Sequence, residues 1–465
     1  MIYFGESHNT PNVNIHKISF SNNPFNIYVT FRSKYDTSFL LESSVGPEKL
    51  AEYSFIGFNP RLIFTAKNGD VKITSKDGKI VKMKNVVDPL ELLKSLIPQI
   101  SKNNPPSRLL GGAVGYISFD AFTYFENFQP KNNTSSPYPD MMFGIYDDGI
   151  VFSHKSGESF YFTIGENRID EVKEVSEKES DVGTIKTSPP QFNMSKREFE
   201  EAVIKTKKYI VDGDIFQTVI SRRIDIKYEG DTAAIYRALK EVNPSPYMYY
   251  LSNPDHEIIG SSPEMLIRVT GKLIETFPIA GTRKVVDDEK QNKILSDELL
   301  QDPKERAEHI MLVDLARNDV GKIADFGTVN VDDFMPIQIF SHVQHIVSKV
   351  TGNLKDNCDS FDALKAVFPA GTVSGAPKIR AIEIIDELEN NSRGPYAGAV
   401  GYFSCTGDAD FAITIRTISA FKNILSVQTG AGIVFDSHPT REFEETKNKA
   451  AALLASIKLA EEKKY

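Results

Sequence analysis

The sequence predicts an α/β protein of the α+β type, with antiparallel or mixed sheets and helices set around them. Three observations predict it. The chain has 465 residues, 40% hydrophobic and 25% charged, enough for a large globular core. Residues 1–165 read mostly as short β-branched and aromatic runs broken by Gly, Asn and Pro. Beyond 192, helical patterns alternate irregularly with strand-like runs. Strands that follow one another without a helix between them favour antiparallel or mixed pairing over a doubly wound parallel sheet.

In chain order, the expected strands of the first region are YVTFRS (28–33), YSFIG (53–57), RLIFTA (61–66), DVKITS (70–75), GAVGYISF (112–119), GIVFSH (149–154) and SFYFTI (159–164). One helix near 89–98 interrupts them. Residues 166–191 shift to Glu, Lys, Ser, Asp and Pro, a composition that buries little apolar surface; they read as a charged linker or a solvated charged helix. The third region, 192–465, opens with Ser195 as N-cap and Glu198 completing a capping box, giving a helix to about 211 and then a strand. Helices are expected at 231–242, 286–300, 303–317, 358–367, 376–390 and 439–462, with strands at HEIIGSSP, AVGYFS, DFAITIRT and LSVQTGAGIVF. No internal repeat is evident.

The formal net charge of −9 provides no basic field for a phosphate backbone, which excludes nucleic acid as the expected partner. Cys358 and Cys405 form no C-x-x-C pair, so neither a disulfide framework nor a cysteine zinc site is expected, and the compartment reads as reducing. The opening residues MIYFGESHNT lack a basic segment leading into an apolar one. No stretch reaches the ~18 apolar residues of a membrane span. A cytoplasmic protein without membrane contact is expected.

Two segments carry paired carboxylates. In DPKERAEHIMLVDLARND, Asp302 is the expected N-cap, Pro303 the first helical residue, and Glu305 and Glu308 share a face. Near the C-terminus, Thr440 opens a helix on which Glu442 and Glu445 share a face with Lys449 a turn on. Two such helices together would offer oxygen ligands to Mg²⁺. Spacing alone also fits capping by Glu305 and a Glu445–Lys449 ion pair. Gly-rich stretches at 277–283, 368–378, 394–403 and 427–434 suit close backbone approach to an anion. PAGTVSGAPK is not a Walker loop, because Lys378 follows Pro377 and no Ser or Thr comes after it. His345 on an alternating stretch fits a satisfied core side chain as well as a site. Arg416, ending an apolar strand, answers a buried anion, from the protein or from a ligand.

Taken together, PIAGTR, AEHIMLVDLARND, SHVQHIVSK, FPAGTVSGAP, GPYAGAVGYF, IRT, QTGAGIV and EFEETKNK run in one order across the second half of the chain. In this the sequence resembles the chorismate-utilising enzyme family, most closely its anthranilate synthase component I branch. The resemblance spans about 195–457, with a weaker first half. It implies a two-layer body of large, mostly antiparallel sheets with peripheral helices, binding chorismate and Mg²⁺. Glu308 and Glu445 resemble direct Mg²⁺ ligands, with Glu305 and Glu442 holding metal-bound waters. Gly281, Thr282, Tyr396, Arg416, the Gly430–Ala431–Gly432 backbone and Lys449 resemble the groups that hold the ring and the enolpyruvyl carboxylate. His345 would assist loss of the C4 hydroxyl, and Glu264 would act as a base or orienting group for the nucleophile. Thr282 is counted with them among the catalytic candidates.

Within the resemblance, Gln217 stands where water-adding relatives have a lysine base, and a neutral amide cannot take that proton. Ala280 stands where aminodeoxychorismate synthases typically carry a nucleophilic lysine, so ammonia would add directly. No glutaminase nucleophile turn is present, which implies a separate glutamine amidotransferase subunit and a hetero-oligomer. LLES (40–43) and NPSPYM (243–248) resemble a tryptophan feedback site, with Glu42, Ser43, Pro246, Tyr247 and Met248 framing L-tryptophan as inhibitor. The activity implied is synthesis of anthranilate, the first committed step of tryptophan biosynthesis.

Overall fold

The computed structural model describes residues 11–43, 52–100, 105–131, 134–178, 181–339 and 343–463. The opening decapeptide and the first two residues of SHVQHIVSK lie outside them. Among the described residues two large sheets, of 13 and 11 strands, and a small three-stranded sheet form the frame. Their ladders are antiparallel, as the adjacent strand runs predict. Both large sheets take strands from each half of the chain: Ser38–Glu42 pairs with Tyr247–Ser252, and Gly112–Ile117 with Ala399–Ser404.

Alternation along the strands decides the layering. Phe39, Tyr249 and Leu251 point into a core shared with Phe64, Phe143 and Phe411 of the second sheet. Their neighbours Leu40, Met248 and Tyr250 point the other way, onto a helical layer built from Pro24–Lys34, Ala233–Val242 and Pro439–Glu462. The sheets therefore stack face to face with helices outside, and each fully buried Phe or Leu contributes roughly 2–3 kcal/mol.

Helix ends follow the cap chemistry. Ser195 and Glu198 form the capping box of Lys196–Val211, and Asp302 caps Pro303–Ile323 by accepting from the amides of Lys304 and Glu305. Three local expectations change. YVTFRS belongs to the helix Pro24–Lys34, not a strand: Asn23 caps it, Pro24 starts it, and burial of Phe25, Ile27, Tyr28, Val29 and Phe31 nearly all round erases the helical period. The C-terminal helix starts at Pro439 with His438 before it, so Thr440 lies inside its first turn. The charged stretch 166–191 contains the helix Ile169–Ser176, anchored by Val172 and Val175, and the strand Ile185–Thr187. No helix among the described residues is long and apolar enough to cross a membrane. Cys358 and Cys405 are free thiols.

Candidate active site

The long strand Gln217–Gly230 pairs with Ile424–Ile433, setting Ser221 opposite Gly430 and Val219 opposite Gly432. The helix Pro439–Glu462 follows directly, so the Gly430–Ala431–Gly432 backbone and Glu442, Glu445 and Lys449 come from one strand–helix unit. Facing it is the helix Pro303–Ile323, packed on the strand Ile279–Lys284 of the small sheet. A Cβ on Gly281 would lie 3.1 Å from Glu305 Oε2, and φ there is +69°, so glycine is needed on both counts.

Across the gap Gln217 Nε2 donates to Glu308 Oε1 at 3.4 Å, while Gln217 Oε1 is buried without a partner. Burial raises the Glu308 pKa, and the charges of Glu305 and Glu445 raise it further. Glu442 is raised by burial and then by Glu445, against the Ser437 hydroxyl and the cations Lys304 and Lys449. The carboxylates of the two helices face one gap closely enough for the Glu445 charge to act on Glu308. Their oxygens are hard donors of the kind Mg²⁺ takes, and like charge gathered in a half-buried gap favours a cation. In the described geometry Glu445 is paired with Lys449 at 2.7 Å and Glu305 with Arg283 at 3.4 Å. No three acidic, His or Cys side chains among the described residues are gathered tightly enough to form a ready metal cage. A cation would have to draw Glu445 from Lys449.

Arg416 does not end a strand as expected but lies between the strands Ala409–Ile413 and Thr417–Phe421, half-buried with φ +51°, and donates from Nη1 to the Lys449 carbonyl at 2.9 Å. Among the described residues no carboxylate pairs with it, and burial lowers its pKa. A half-buried, partly desolvated guanidinium without a protein anion favours the ligand explanation of this arginine over the protein one. Tyr396 lies beside it, its hydroxyl 2.9 Å from where a Cβ on Gly430 would stand. Burial pushes the Tyr396 phenol up to about 12, so it remains a neutral donor. Lys449 Nζ donates to the Gly430 carbonyl at 3.0 Å.

His345, on the strand Val343–Val347, has Nδ1 2.7 Å from the Gly281 carbonyl and 3.1 Å from Thr282 Oγ1. A carbonyl only accepts, so Nδ1 carries the proton and Nε2 carries none in the neutral ring. Burial keeps that ring neutral by lowering its pKa, and Arg416 acts the same way. Glu264 is buried behind the site, and desolvation pushes its carboxyl up to about 7 against Thr372 and Lys449. A small cavity of about 40 Å³ reaches it between Leu312, Leu315, Thr372 and Ile413. The wall carries buried or half-buried Ala280 and Gly281 rather than a lysine.

A profile of the chorismate binding enzymes matches residues 36–455. The chain belongs to the chorismate binding enzyme family. Among curated relatives in this family, anthranilate synthase component 1 of Methanothermobacter thermautotrophicus is 47% identical over 446 residues, 96% of this chain and 94% of that one. The crystal structure of anthranilate synthase component I from Streptococcus pneumoniae superposes with a TM-score of 0.75 at 35% identity, covering 88% of this chain and 93% of that one. The menaquinone-specific isochorismate synthase of Escherichia coli shares the fold, with a TM-score of 0.72 at 21% identity over 96% of this chain and 95% of that one.

Within this family fold, the residues anticipated around ring, carboxylate and metal converge on one gap. The others do not: Glu42 and Pro246–Met248 meet at a separate place, where Met248 pairs with Glu42 across the strands Ser38–Glu42 and Tyr247–Ser252. There Glu42 is buried and accepts from Tyr236 Oη at 2.9 Å and Lys240 Nζ at 2.6 Å. Ser43 follows it, half-buried. Sequence reasoning missed Arg283, which ends PIAGTR and ties down both Asp302 and Glu305. It also missed Lys304, the cation whose charge opposes the raised pKa of both Glu308 and Glu442. Their side chains enter only through the meeting of helix and small sheet, which no local pattern announces.

Proposed function

We propose that the chain is the large subunit of an anthranilate synthase, converting chorismate and ammonia to anthranilate, pyruvate and water in the cytoplasm. The observation that carries this reading is Arg416, a half-buried cation with no carboxylate partner among the described residues, set beside the neutral phenol of Tyr396. Chorismate brings two carboxylates. Arg416, Tyr396, Lys449 and the Gly430 backbone hold the enolpyruvyl carboxylate, while Glu308 and Glu445, with Glu305 and Glu442 behind them, would hold Mg²⁺ for the ring carboxylate. Bound there, Mg²⁺ would offset that carboxylate's charge as the hydroxyl leaves. Glu264 takes the proton released as ammonia bonds to C2. The C4 hydroxyl departs on the side of His345, which must first be protonated to assist; the arriving carboxylates favour that by offsetting Arg416. Elimination then releases pyruvate and leaves the aromatic amine.

Gln217 supports ammonia over water as nucleophile, because its amide is engaged with Glu308 and cannot act as a base. The ammonia comes from a separate glutamine amidotransferase subunit, and L-tryptophan inhibits at Glu42, Ser43 and Pro246–Met248. The test is direct: incubate the purified chain with chorismate and Mg²⁺, and follow product fluorescence and pyruvate. Both should appear with ammonium, neither with glutamine alone, and both should vanish in excess chelator. An aminated product without pyruvate would mean that the reaction stops before elimination, and would overturn the reading.

A further inference from the structure

Arg393 and Glu389 form an ion pair buried to 2% and 5% side-chain exposure, on no element that the proposed chemistry uses. Arg393 Nε and Nη2 donate to the two Glu389 oxygens at 2.9 and 2.6 Å. Its remaining hydrogen bonds reach two separate walls of the site: Nη2 to the Val219 carbonyl and Nη1 to the Val373 carbonyl, each at 2.8 Å. Val219 is two residues from Gln217 on the same strand, and Val373 follows Thr372 beside Glu264. The guanidinium also lies against two aromatic rings, with Cζ 4.6 Å from the Phe119 ring and 5.6 Å from the Tyr396 ring. Glu389 in turn accepts from the amide and hydroxyl of Ser221, the residue paired with Gly430.

A buried pair of this kind costs desolvation that a pair of apolar side chains would avoid, so its worth lies in the geometry it fixes. Only a planar fork can hold a carboxylate, two carbonyls and two ring faces at once. We propose that Arg393, clamped by Glu389, is a positioning residue that fixes the Tyr396 side chain at the place the substrate carboxylate requires. This rests on the chorismate reading of the site. Arg393 touches no reacting atom; it acts through Tyr396.

The test is a double-mutant cycle between Arg393→Lys, which keeps the charge and loses the fork, and Tyr396→Phe, read as KM for chorismate and kcat with ammonium. Arg393→Lys alone should raise KM about tenfold with a smaller change in kcat, and in the Tyr396→Phe background it should change KM by less than about twofold, since contacting residues couple. A purely structural role would give the same penalty in both backgrounds, and that additivity overturns the proposal, as does an unchanged KM in the single variant. If Arg393→Lys does not fold, the cycle is run with Phe119→Leu, which loosens the guanidinium and removes no charge, and the same outcomes decide. Failure of the chorismate reading itself is distinguishable: the wild-type chain would then consume no chorismate before any variant is made.

Discussion

Arg416 and Glu308 illustrate how one neighbourhood places opposite demands on two side chains. Burial works against the charge of both, and in the ligand-free protein neither is relieved by an ion pair among the described residues. Glu308→Gln should therefore leave the ligand-free protein as stable as before or more so, while Mg²⁺-dependent turnover falls by about 100-fold or more. Thermal unfolding in chelator, set beside turnover in Mg²⁺, checks both halves. Glu264 supplies a pH dependence. Its carboxyl is pushed up to about 7 by burial, and a base must be ionised to act. Turnover expressed per unionised ammonia should fall as pH drops through about 7, and Glu264→Gln should remove that limb along with most activity. A rate per unionised ammonia that stays flat between pH 6 and 8 (roughly one unit either side of that value) would rule Glu264 out as the base.

At the level of elements, the site depends on how closely strand Ile424–Ile433 approaches strand Gln217–Gly230. A Cβ on Gly432 would lie 2.6 Å from Gln217 Nε2, and the backbone there is ordinary strand, so the side chain yields rather than the chain. Gly432→Ala should displace the Gln217 amide from Glu308, at an overpacking cost of about 1–3 kcal/mol. That cost should appear as lost thermal stability, with a higher KM for chorismate beside it; calorimetry and steady-state kinetics read the two separately. Elements with one buried face were legible from sequence: the capping box at Ser195 and Glu198, the Asp302–Pro303 start, and the carboxylate pair on the helix that follows. The helix Pro24–Lys34 was not, because it is buried almost all round and its β-branched and aromatic residues mimic a strand.

For the whole molecule, one antiparallel sheet links the proposed inhibitor site to the segment that leads into Glu264. Tyr247 pairs with Ser262, two residues before Glu264, and Met248 pairs with both Glu42 and Ser261. A ligand that spreads the strands Ser38–Glu42 and Tyr247–Ser252 therefore acts on the segment that carries the proposed base. Free tryptophan should inhibit ammonium-dependent turnover, and Ser43→Phe should relieve that inhibition by at least about tenfold by filling the space it uses, a loss of roughly 1.4 kcal/mol in binding. The chain has no Trp, so the ligand's own fluorescence reports binding without background. Equal binding to wild type and the Ser43→Phe protein would place the inhibitor elsewhere.

By itself the sequence determined the α+β class, the capped helices, and the ordered motifs from PIAGTR to EFEETKNK that mark the family. These are properties of local periodicity and of residues fixed along the chain. Only the tertiary structure decided that Glu308 and Glu445 share a gap, that Arg416 lacks a protein carboxylate among the described residues, and that Arg393 braces Tyr396 from behind. Each of those facts joins residues far apart in sequence through antiparallel pairing and helix packing, and the burial that shifts their charges exists only once both sheets have closed on one another.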